Sequence, residues 1–107
     1  MPWRQFLVAA VIGVLVAWGP SSGQEIDSAG RGRVLARQEC ARCHAVEKQQ
    51  DQSPNEDAPS FHQVASTPGM NAMALSAALN TSHRTMPNLV IAPDEQSDIV
   101  AYILSLK

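Results

Sequence analysis

Cys40-Ala41-Arg42-Cys43-His44 holds both cysteines of this 107-residue chain, three positions apart, with an imidazole directly after the second. That is the spacing of c-type haem attachment. The reason is geometric. If the segment turns helically, both sulfurs reach one edge of a porphyrin and form thioethers with its two vinyl groups. The next residue, His44, then aims its imidazole at the iron as the proximal ligand. Two other chemistries use the same residue types. A redox-active Cys-x-x-Cys pair sits at a helix N-terminus after a strand, and no strand-helix-strand alternation surrounds this one. A structural zinc site needs four ligands, and His62 and His83 stand at no ligand-knuckle spacing from the two cysteines.

An iron held by one histidine needs a sixth ligand or keeps an open position. From Gln24 onward the chain offers Met70, Met73, Met86, His62 and His83. Met70 and Met73 fall at or inside an expected helix, where methionine is usually core filler. Met86 falls in an irregular segment fixed by Pro87, as a thioether presented from a loop would. Met86 is therefore the expected sixth ligand, with His83 or an open site as the alternatives.

The elements that must position these side chains are helical. Asp27 or Ser28 fits the N-cap of a first helix running to about Cys40. Gly32 and Ala36 share one face of it, where another backbone can come close. Arg31, Arg33, Arg37 and Arg42 read as a solvated face. Residues 47–58 are polar and aperiodic, a long loop ending in Ala58-Pro59-Ser60-Phe61. A short turn of helix at Phe61, Val64 and Ala65 comes next. After Thr67-Pro68-Gly69, a helix over 71–80 carries an apolar stripe of Met73, Leu75, Ala78 and Leu79. The last helix opens at Pro93, with Asp94 and Glu95 where the dipole favours negative charge. Ile99, Tyr102, Ile103 and Leu106 recur along it as a buried stripe. No segment reads as a strand.

The N-terminus has the layout of a secretory signal. Arg4 precedes an apolar run from Phe6 to Trp18 and the small-residue stretch 19–23. The run is short for a spanning helix. Residues 1–23 are thus expected to be a signal peptide, with an uncleaved anchor as the alternative, and 24–107 one exported domain. Both tryptophans lie in the leader, which leaves Phe61 and Tyr102 as the aromatics of the remainder. So small a domain with so few bulky side chains suits wrapping a large cofactor. The formal net charge of −2 provides no basic patch for nucleic acid.

The helix, Cys-x-x-Cys-His, proline loop, middle helix, Met-Pro loop and amphipathic last helix together resemble a small bacterial class I c-type cytochrome. The resemblance runs from Ala29 to Lys107. It implies an all-α fold, three to four helices wrapped around one covalently attached haem c. It implies cofactor binding through Cys40 and Cys43, and iron ligation by His44 and Met86. Ala58-Pro59-Ser60-Phe61 resembles the family's proline segment, which would give Pro59 the carbonyl that accepts a hydrogen bond from the proximal imidazole. Asp98-Ile99-Val100-Ala101-Tyr102-Ile103 resembles the final helix that crosses the first, at Gly32 and Ala36. The tryptophan that binds a propionate in mitochondrial-type members is missing, and Arg84 is the candidate replacement. The lysine ring used for docking there is missing too, since Lys48 and Lys107 are the two lysines present. The implied function is electron transfer in the bacterial periplasm with redox partner proteins and no substrate chemistry. The membrane is met only through an uncleaved leader. The alternatives are a haem subunit of an oxidoreductase complex, and a gas-binding sensor with an open sixth site.

Overall fold

The computed structural model describes residues 13, 27–81, 83 and 85–107. The leader reading of residues 1–23, Gly13 apart, and the propionate role of Arg84 lie outside them. Among the described residues all regular structure is helical, in the order α1 (Ser28–Glu39), α2 (Phe61–Ala65), α3 (Ala72–Leu79) and α4 (Pro93–Leu104). Their ends obey local chemistry. The Asp27 carboxylate accepts from Gly30 N at 2.8 Å and caps α1. Asn71 caps α3 in the same way through Ala74 N. Pro93 occupies the first turn of α4, with Asp94 and Glu95 beside it. Between α2 and α3, Met70 N donates to Thr67 O at 3.0 Å, and Gly69 takes φ +78°. That is a type II turn, with proline and glycine where it wants them.

The core lies where α1 and α4 cross. Gly32 and Ala36 are both buried on α1, and Ile99, Val100, Tyr102 and Ile103 are buried on α4. A Cβ at Gly32 would stand 2.5 Å from the Asp98 carbonyl carbon and 2.7 Å from Tyr102 Cβ. Glycine is therefore what lets the two backbones touch. The Tyr102 hydroxyl donates to the Val46 carbonyl at 2.5 Å, which ties α4 to the chain just beyond the cysteine motif.

Three expectations need correction. Met73 is no part of a buried stripe, being 82% exposed; Leu75 is the buried residue of α3. Leu106 is buried, but in the turn after α4 rather than within it. The arginines of α1 are exposed yet organised. Arg31 grips Asp98 of α4 through two hydrogen bonds, at 3.0 and 3.2 Å. Arg33 and Arg37 converge on Glu47. They draw the carboxyl groups of Asp98 and Glu47 below the usual carboxylate range, chiefly through these hydrogen bonds. Among the described residues, no helix is long and apolar enough to cross a membrane.

Candidate haem site

The cysteine motif continues α1 as a helical turn. Ala41 N donates to Ala36 O, and both Cys43 N and His44 N donate to Cys40 O. The next stretch of chain pins this turn from outside. Asn55 N donates to Cys43 O at 3.1 Å, Ala45 N to Ser53 Oγ at 2.9 Å, and Phe61 N to Ala45 O at 2.9 Å. The long polar loop is thus laced onto the motif rather than free of it.

Cys40 and Cys43 are unbridged thiols, the first buried. Burial, helped by the charge of Glu39, pushes the Cys40 thiol up to about 11. A dithiol redox centre needs the reverse, a thiol made acidic by a helix N-terminus or a cation. These cysteines stand at the C-terminal end of α1, the wrong end of the dipole for a thiolate. For zinc, no three His, Cys, Asp or Glu side chains form a metal cluster among the described residues.

His44 is held on two sides. Its Nδ1 lies 2.7 Å from the Pro59 carbonyl, and its ring packs tilted against Phe61, with centroids 5.4 Å apart. A carbonyl oxygen only accepts, so Nδ1 carries a proton and Nε2 is the nitrogen left for a metal. Pro59 in turn is fixed by its neighbour Ser60, which is 2% exposed and closes a capping box at the start of α2. The Ser60 hydroxyl accepts from Gln63 N, while its own N–H donates to Gln63 Oε1. Sequence reasoning passed over Ser60 and Gln63, although the signal was present: Ser-x-x-Gln at the head of a helix.

Both cysteines, His44 and Pro59 line one cavity of about 620 Å³. Phe61 and Val64 of α2, Leu75 and Leu79 of α3, and Ile103 of α4 supply much of its apolar wall. Met86, Pro87 and Leu89 line it from the segment between α3 and α4, and His83 joins them. Of the three methionines in the described residues, Met86 is the one in this lining. Met70 packs against the core, and Met73 points to solvent. The residues present fit a haem c. Two thiols stand on one turn, an imidazole with a free Nε2 adjoins them, a thioether lies in the same lining, and the wall between them is largely apolar.

No solved structure matches this chain significantly. The family model described as Cytochrome c matches residues 29–107. Cytochrome c-552 of Bradyrhizobium diazoefficiens is 37% identical over 94 residues, which cover 88% of this chain and 89% of that protein. The family match begins within α1 and takes in the cysteine motif, the cavity and α4. The chain therefore belongs to the cytochrome c family, as a small bacterial class I c-type member of all-α fold that carries electrons on a covalently attached haem c.

Proposed function

We propose that this protein is a periplasmic one-electron carrier with His44 and Met86 as the two axial ligands of its haem. Haem iron carries the electron by cycling between Fe(II) and Fe(III). Cys40 and Cys43 hold the group through thioethers formed with its vinyl carbons. His44 offers Nε2, and the Pro59 carbonyl, by accepting the Nδ1 proton, fixes the ring and makes it a stronger donor. Phe61 keeps the ring from turning about that bond. Met86 would offer its thioether from the segment before α4, completing with His44 a ligand set that would rearrange little on transfer. The apolar wall excludes water and disfavours the extra positive charge of the oxidised state, which raises the potential. Export is supported by the leader pattern in residues 1–23, and redox proteins are the expected partners.

The observation that carries the reading is that Met86 lines the same cavity as His44, whose Nδ1 is committed to the Pro59 carbonyl. Optical spectroscopy of the ferric holoprotein tests it. The weak long-wavelength charge-transfer band of a thioether on ferric haem should be present. It should vanish in Met86→Leu and survive in Met70→Leu and Met73→Leu. A wild-type protein without the band would contradict His/Met ligation.

A further inference from the structure

Three histidines lie among the described residues, and two of them, His44 and His83, line the cavity; His62 on α2 is not in its lining. The two lining imidazoles share an arrangement. His44 Nδ1 meets the Pro59 carbonyl at 2.7 Å, and His83 Nδ1 meets the Thr81 carbonyl at 2.7 Å. In each ring Nδ1 therefore carries a proton and donates to the carbonyl, which leaves Nε2 as the nitrogen a metal would take. That is the tautomer of a metal-bound histidine whose other nitrogen donates to a backbone carbonyl. The anchor of His83 is itself tied down. Thr81 bonds back to the last turn of α3 through its hydroxyl to Ala77 O at 2.6 Å and its N–H to Ala78 O at 3.3 Å. His83 is thus held at the end of a helix, three residues before Met86, in the lining that Met86 shares. Met86 is half-buried and His83 exposed, so the thioether is the more enclosed of the two donors.

We propose that His83 is a reserve sixth ligand, whose free Nε2 takes the iron when the thioether of Met86 is not in place. The proposal rests on His44 and Met86 being the axial ligands of the resting site. It means that loss of Met86 converts the site to bis-histidine ligation rather than opening it. The potential then falls, because a thioether ligand is what holds it up. A gas molecule still finds the position occupied.

The test uses the ferric holoprotein of four variants, studied by electron paramagnetic resonance and near-infrared magnetic circular dichroism. His83→Ala alone should keep the wild-type thioether signature, which shows the fold and the resident ligand intact. Met86→Ala should be low-spin with a bis-imidazole signature and resist carbon monoxide when reduced. Met86→Ala/His83→Ala should turn high-spin and bind carbon monoxide readily, whereas Met86→Ala/His62→Ala should remain low-spin. A high-spin Met86→Ala that binds carbon monoxide as fast as the double variant overturns the proposal. So does a double variant with His83→Ala that stays low-spin, since another side chain would then be the reserve. A wild-type spectrum unchanged by Met86→Ala is a different failure: it removes Met86 from the site and takes the proposal down with it.

Discussion

The α1–α4 crossing and the wall of the cavity are held together in opposite ways. At the crossing, two 12-residue helices meet backbone to backbone at Gly32, bury aliphatic side chains between them and are clasped by Arg31 and Asp98. Protein contacts make up the crossing itself, although Ile103 of α4 also faces the cavity. The facing half is made of a five-residue helix, an eight-residue helix and a proline-bearing segment, with Leu75 as the buried residue of α3. Helices that short are not stable on their own and depend on what they pack against. The difference teaches that one half of the domain is a scaffold and the other is ordered around the cofactor.

The largest effect should come from removing the cofactor's attachment. With Cys40→Ala and Cys43→Ala the chain should lose most of its far-UV helical signal, because so small a domain, with Phe61 and Tyr102 as the Phe, Tyr and Trp residues among the described ones, buries too little unaided. A cooperative melt of a fully helical apoprotein would erase the contrast between the two halves.

Gly32→Ala probes the scaffold half alone. Alanine improves helix propensity by about 1 kcal/mol. Here its Cβ meets the backbone of Asp98, an obstacle that cannot rotate away. The net outcome should be a loss on the order of 1–3 kcal/mol in chemical denaturation of the holoprotein, as for other overpacked contacts. A gain in stability would mean that the crossing is looser than the structure has it.

The smallest effect concerns the clasp. The Arg31 hydrogen bond holds Asp98 below its ordinary value of 3.8, against a smaller opposing effect of desolvation. A depressed carboxylate contributes stability above its unfolded pKa and loses it as pH falls through the folded one. Wild type should therefore exceed Asp98→Asn by a small, constant margin near neutrality. That margin should shrink only as acid takes the pH below the ordinary carboxylate range. Thermal melts across that range check it; a margin that grows toward acid has the wrong sign.

The scaffold half was the more legible in sequence. Its N-cap, its proline start and its three-to-four spacing are local signals, and the Gly32–Ala36 pair announced a close approach. What stayed hidden was relational. Met73 is the exception: it stands two positions before Leu75, on the far side of the helical turn, so the spacing itself sets it apart from the side that Leu75 and Leu79 share. The convergence of Arg33 and Arg37 on Glu47 joins residues from two elements, so reading α1 alone left them as a solvated face. On the cavity half, the motif and the Met-Pro segment were legible as types and spacings. The capping box of Ser60 and Gln63 was written in the sequence, yet its use in steadying the Pro59 carbonyl appears only once His44 is seen to reach it.

Mass spectrometry of the protein isolated from cells able to mature c-type cytochromes tests the central claim most directly. Proteolysis should yield one peptide spanning Cys40 to Cys43 that carries a single haem, retained through acid-acetone extraction because two thioethers hold it. A haem-free peptide with a Cys40–Cys43 disulfide would contradict the account.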